Sequence, residues 1–214
     1  MSIAIKSLTL GAFATNAYLV ADTATKNALL IDPVDSPDLI LAAAAEEGWS
    51  IKMMVATHAH LDHVLAAAAL KEQWQIPFVA HKEAAPLLQE VPLQGLYFGL
   101  GKLPAPPESD KRLEDEETII LDSIELKCLY TPGHAPGHIS LLMEKEGILF
   151  SGDTLFAGSI GRTDLPGGDH ALLMRSILDR LMPLDDAVTV LPGHMGETTI
   201  GHERRTNPFL LAHR

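Results

Sequence analysis

The sequence predicts an α/β protein, and three observations carry that expectation. Short apolar runs alternate with helix-like stretches from Ala28 to Gln89, a second block of β-like runs spans Thr118 to Phe150, and a further helix and buried strand precede Pro192. Strand and helix in alternation is the order of crossover units, whereas β-like runs joined by tight turns read as hairpins.

Ile3 to Leu10 alternates apolar and polar residues in part. Ala17 to Val20 and Ala28 to Ile31 are apolar runs around the turn material Asp22-Thr23-Ala24-Thr25-Lys26-Asn27, a hairpin signal. Asp32-Pro33 ends the third strand, because proline has no N–H for the ladder and biases its predecessor away from helix. A helix then starts with Ser36 as N-cap and Pro37 at its first position, carries Leu39, Ile40, Ala43 and Ala44 on one face, and is closed by Gly48. Ile51 to Ala56 is the next strand, Val64 to Trp74 a helix, Pro77 to Ala80 a short strand and Lys82 to Gln89 a further helix. From Val91 to Glu108 the pattern dissolves into Pro- and Gly-rich sequence. This is either a connector between halves or, given Leu96-Tyr97-Phe98, a wall of a substrate cleft.

In the second half Thr118 to Leu121 and Ile124 to Tyr130 pair about Asp122-Ser123, and Ile139 to Met143 and Ile148 to Phe150 about Lys145-Glu146-Gly147. Asp169 caps a helix with Leu173, Ile177 and Leu181 on one face, stopped by Pro183. Val188 to Leu191 is a buried strand, and a last helix runs from near Thr199 to Pro208.

A chain of 214 residues buries one substantial core, so one domain over residues 1–214 is expected. The formal charge of −12, with 28 acids against 16 bases, argues against a nucleic-acid surface and against adhesion to anionic lipid. Cys128 is the only cysteine, so no internal disulfide forms and nothing favours an oxidising compartment. No run is long enough to span a bilayer, and Leu8 to Val20, interrupted by Thr15 and Asn16, reads as strands rather than as a secretory signal. A cytoplasmic protein with a small-molecule partner is the expectation.

The chemistry concentrates in Thr57-His58-Ala59-His60-Leu61-Asp62-His63, placed directly after an apolar strand. Imidazole with carboxylate suits Zn²⁺ or another first-row divalent metal, whereas Mg²⁺ and Ca²⁺ favour oxygen ligands. In extended backbone residues two apart point the same way, so His58 and His60 can share one ion, while the turn into the next helix aims Asp62 and His63 at a second. The bland alternative is a polar loop in which Asp62 caps the helix. Three more candidate ligands, His134, Asp153 and His194, also follow apolar strands, and such loops can converge at one edge of a layered structure.

Thr57 to His63, Thr131-Pro132-Gly133-His134, Ser151-Gly152-Asp153-Thr154 and Pro192-Gly193-His194 together resemble the successive motifs of the metallo-β-lactamase superfamily, in its compact glyoxalase II-like branch. The resemblance implies a four-layer αβ/βα sandwich, with two β-sheets face to face and helices outside. It also implies that His58, His60 and His134 hold one metal, that Asp62, His63 and His194 hold the other, and that Asp153 bridges. Two divalent ions are implied, Zn first, with Fe or Mn as alternatives. His138 falls outside the ligand positions and is assigned to hydrogen bonding behind them. Asp32 matches an aspartate behind the metal loop, or else simply ends its strand.

Two cations on one water make hydroxide available at neutral pH and polarise the carbonyl it attacks, with Asp62 orienting the nucleophile. A thiolate departs without a dedicated acid, which suits a thioester such as S-lactoylglutathione. Arg162 aligns with a basic residue that grips a glutathione carboxylate, a task for which a guanidinium fork is suited. Its bland alternative is a surface ion pair with Asp164 or Glu203. The chain departs from larger glyoxalase II enzymes in placing Asp164 where they have a tyrosine, in having Met195 after the last histidine, and in lacking a counterpart to their helical carboxyl-terminal domain. Persulfide dioxygenases share the scaffold but would use one iron, held by His58, His60 or their neighbours, and O₂. Lactone or β-lactam cleavage and a non-enzymatic metal-binding role are lesser alternatives.

Overall fold

The computed structural model describes residues 2–213. A hairpin of β1 (Ile3–Leu10) and β2 (Thr15–Asp22) leads into β3 (Asn27–Ile31), α1 (Pro37–Glu46) and β4 (Ser50–Val55). Then come α2 (Ala67–Trp74), β5 (Phe78–His81), α3 (Ala85–Tyr97) and β6 (Lys111–Leu113). These strands form one six-stranded sheet in the order β1 to β6, antiparallel as far as β3 and parallel from there. The second half supplies β7 (Thr118–Leu121), β8 (Ile124–Tyr130), β9 (Ile139–Met143) and β10 (Ile148–Gly152), then the small ribbon β11 (Leu155–Phe156) and β12 (Ser159–Ile160). It ends with α4 (His170–Ser176), β13 (Thr189–Pro192), β14 (Thr198–Thr199), α5 (Ile200–Thr206) and α6 (Pro208–Leu211). Its sheet runs β14-β13-β10-β9-β8-β7, with β13 parallel to β10.

Alternation along the strands builds the layers. Successive side chains of β2 point to opposite faces, so Ala17 and Leu19 join α1, α2 and α3 in one core, while Tyr18 and Val20 face the other sheet. Between the sheets Leu29, Ile31, Val55 and Val79 meet Leu126, Cys128, Leu141 and Phe150. A third core joins Leu142, Leu149 and Val190 to Leu173, Ile177 and Leu181 beyond α4. Three cores between four layers make the αβ/βα sandwich. Among the described residues no helix is long and apolar enough to cross a membrane.

Several local expectations change. Ser36 precedes α1, but in the left-handed conformation (φ 53°) its hydroxyl caps nothing; its carbonyl instead accepts from Leu39 N–H at 2.9 Å. Leu39 faces solvent, whereas Ile40, Ala43 and Ala44 are buried. The helix expected from Val64 begins at Ala67, because Leu61–His63 takes a tight 3₁₀ turn first. The first seven residues of the irregular segment from Val91 are in fact helix: α3 runs through Pro92 to Tyr97, losing one backbone bond but burying Val91 and Gly95. Gly95 is required there, since a Cβ would come within 2.6 Å of the Gly101 carbonyl, where the chain turns back over the helix. β6 has one buried residue, Leu113, and so carried no alternation to read.

Candidate metal centre

β4 delivers its following loop to the carboxyl edge of the first sheet, and buried Asp32 organises that loop. Asp32 Oδ1 accepts from Thr57 N–H at 2.7 Å, and Oδ2 accepts from the Thr57 hydroxyl at 2.9 Å and from His63 Nδ1–H at 2.8 Å. Because the Thr57 hydroxyl is committed as a donor, it accepts from His58 Nδ1–H at 3.1 Å. One carboxylate thus makes Nδ1 of His58 and of His63 a donor and aims Nε2 of each at the cleft. His134 is fixed in the same sense, donating Nδ1–H to the Arg162 carbonyl at 2.8 Å.

The structure brings together all seven side chains singled out in the sequence. His58 Nε2 lies 3.1 Å from His60 Nδ1, which lies 2.8 Å from His134 Nε2. Ligand nitrogens about 2.0 Å from one tetrahedral ion are about 3.3 Å apart, so this spacing suits a shared cation. His194 Nε2 stands 3.3 Å from Asp62 Oδ2, and His63 Nε2 3.6 Å from the same oxygen. Asp153 reaches both groups: Oδ2 lies 3.5 Å from His134 Nε2 and 3.4 Å from His194 Nε2, and Oδ1 lies 3.5 Å from His63 Nε2. His63 Nε2 and Asp153 Oδ1 are buried with no hydrogen-bond partner. Orphaned polar atoms facing each other are costly unless a ligand satisfies them, so the donor set fits divalent ions. Gly193 permits this approach, since a Cβ there would lie 2.2 Å from Asp153 Oδ1.

Protonation follows from burial and neighbours. Burial, reinforced by the surrounding imidazoles, holds His58 well below its ordinary value and lowers His60 to about 3; burial also lowers His134. Burial works to raise Asp62 and Asp153, yet His63 and His194 outweigh it, holding Asp62 at about 2 and Asp153 below the usual carboxylate range. Burial alone would depress His63 and His194 too. The carboxylates prevail there, raising His63 to about 9 and His194 to about 10. Neutral imidazoles beside ionised carboxylates are in the state that metal binding requires, and the remaining two must release protons to ligate.

His138 lies behind the cluster: its Nε2 accepts from Asp153 N–H at 2.9 Å, and its Nδ1 lies 3.0 Å from the Thr131 hydroxyl. Arg162 borders the cleft with His60, Asp62 and His194, but its guanidinium is exposed and forked onto Asp164 at 2.7 Å through both arms; Glu203 is buried elsewhere. Thr15 and Asn16 are functional neighbours that sequence reasoning passed over. The Thr15 hydroxyl donates to Asp62 Oδ2 at 2.7 Å. Asn16 Nδ2 donates to the carbonyls of Pro192 and Met195 at 3.0 and 2.9 Å, and its N–H to the Gly193 carbonyl at 2.7 Å. Their polarity inside an apolar run was the available signal.

Comparison with known proteins agrees with this geometry. The sequence model of the metallo-β-lactamase superfamily matches residues 10–194. Hydroxyacylglutathione hydrolase GloC of Haemophilus influenzae is 38% identical over 207 residues, covering 96% of this chain and 97% of that protein. Among solved structures, the B3 metallo-β-lactamase BLEG-1 superposes with a TM-score of 0.91 at 35% identity, covering 97% of this chain and 99% of that one. TTHA1623, solved in a di-iron-bound form, superposes with a TM-score of 0.86 at 39% identity, covering 96% and 100%.

Proposed function

Because the chain belongs to the metallo-β-lactamase superfamily, we propose that it is a binuclear metal-dependent hydrolase whose substrate is a thioester, with S-lactoylglutathione as the reference compound. The observation that carries this reading is the convergence of seven side chains around two buried, unpartnered atoms. Full-length likeness to an enzyme named hydroxyacylglutathione hydrolase supports the thioester class. His58, His60 and His134 would hold one ion, Asp62, His63 and His194 the other, and Asp153 both. Zn²⁺ suits the nitrogen-rich set, and the di-iron neighbour supports Fe as the alternative, with Mn also accommodated by these donors.

When bound, two cations supply Lewis acidity that activates water and polarises a carbonyl. Asp62, oriented by the Thr15 hydroxyl, can align the attacking water and accept its hydrogen bond. His138 fixes the Asp153 backbone, and Asp32 fixes two imidazoles, so the ligands are set before substrate arrives. A thiolate with a pKa of about 8.5 leaves without a proton donor, and the cleft need not provide one. Arg162 can meet an anionic group of the substrate by exchanging Asp164 for it. The acidic surface favours small-molecule partners over nucleic acid or membrane, in the cytoplasm.

The likeness to BLEG-1 favours β-lactam cleavage as a second reading. A metal-replete screen of S-lactoylglutathione, other thioesters, lactones and β-lactams, with total metal analysis of the same sample, separates the two. Oxygen uptake with glutathione persulfide would replace both by a dioxygenase. Thioester turnover with two equivalents of metal is the expected result, and an inert, metal-free protein after reconstitution overturns the proposal. Asp153→Ala should lower both metal content and hydrolysis at least ~tenfold.

A further inference from the structure

The cleft continues sideways into a groove of about 620 Å³ between α3 and the Asp164–Pro166 segment. His60, Gln94, Phe98 and Leu165 line both spaces, so the groove leads directly away from the ligand cluster. Its remaining apolar walls are Leu87, Leu93, Tyr97 and Pro166. Leu93 and Tyr97 are 65% and 77% exposed, an apolar display on one flank of the cleft.

The polar side chain in its floor has little left to offer a ligand. Gln94 Oε1 accepts from Leu61 N–H at 2.8 Å, and Nε2 donates to the Ala59 and Leu87 carbonyls at 3.3 and 3.4 Å. Those bonds tie α3 to the ligand loop, so the groove stands in a fixed relation to His60. At its edge Asp164 is taken by the Arg162 fork, which leaves Glu90 as the charge without an ion pair among the described residues.

We propose that this groove is a subsite for an apolar acyl arm, a ring or a medium-length aliphatic chain, and that it disfavours an arm ending in a carboxylate. The proposal rests on the thioester reading of the metal centre and narrows it to acyl groups larger and less polar than lactoyl. A fully buried methylene gains about 0.8 kcal/mol. The groove is open on one side, so each added methylene raises kcat/KM by about twofold until it is filled. A terminal carboxylate facing Glu90 loses about threefold against its neutral match.

The test uses the metal-loaded full chain with acyl thioesters of one small neutral thiol, from acetyl to decanoyl, beside ω-carboxylated acyl groups of matched length. The expected result is kcat/KM climbing with chain length to a plateau and lower values for the carboxylates. The double variant Leu93→Asp/Tyr97→Ser, at two exposed positions, flattens the climb, whereas Ile120→Ser on the exposed side of β7 leaves it intact. Rates independent of chain length, or an unaltered climb in the double variant, overturn the subsite. Absence of turnover with every thioester overturns the thioester reading instead. The groove is then judged by equilibrium binding of the same acyl series as non-hydrolysable methyl ketones, where affinity rising with length supports it and a flat series refutes it.

Discussion

His63 and His194 differ from the other imidazoles of the cluster in being raised, to about 9 and 10, by the carboxylates that face them. In the metal-free chain a raised folded-state value adds stability that is complete below the ordinary histidine value and is lost as pH rises through the folded one. The melting temperature of chelator-treated protein should therefore fall between pH 7 and pH 10. The metal-loaded protein, whose ligand protons are already displaced, should change less. Thermal unfolding followed by circular dichroism checks this, and identical profiles for the two forms would refute it. The candidate ligands were legible because metal chemistry needs particular residue types, and His58, His60, Asp62 and His63 fall within one loop. Thr15 and Asn16 were not, because their partners, Asp62 and the carbonyls near Gly193, are remote in sequence and three of those partners are backbone groups.

At the scale of elements, the start of β2 acts as a brace for Asp62 and His194, two of the proposed ligands. Asn16 holds three carbonyls of the Pro192–Met195 turn that carries His194, and Thr15 holds Asp62. Asn16→Ala strands the partly buried Met195 carbonyl and leaves the Pro192 carbonyl with the Tyr18 hydroxyl alone, which costs about 1–3 kcal/mol. It also loosens His194 more than His58, His60 or His134. Elemental analysis of the variant should find metal falling from two equivalents towards one, and two retained equivalents would show that the turn holds itself. The elements least legible in the sequence were the C-terminal half of α3 and β6. Proline marks helix ends in sequence, yet α3 continues through Pro92 because Val91 is buried in the core and Gly95 lies against Gly101 and Leu103, a tertiary compensation with no local signature. The capping of α4 was legible, since Asp169 accepts from Leu172 N–H at 2.9 Å as its position suggests.

The whole molecule is two sheets pressed together, and Phe150 lies fully buried between them with its ring 5.2 Å from that of Tyr18. Phe150→Ala removes an aromatic side chain from that interface and should cost about 3–5 kcal/mol, seen as a lower urea midpoint at unchanged slope. A loss below ~1 kcal/mol would mean that the interface collapses into the space. The layered class was readable from alternating runs, but the facing of the sheets came only with the resemblance, because periodicity assigns a buried side to a strand without saying what covers it. The seam between the halves has a temporal consequence. Thr57 O accepts from Ile139 N–H and Gly193 O from Asn16 N–H, so each half is stitched to the other beside the ligands. During synthesis the nascent chain exposes His58 and His60 long before His194 emerges. Cation binding by the complete set would therefore come only after both halves have met, as a clasp closed on an assembled body.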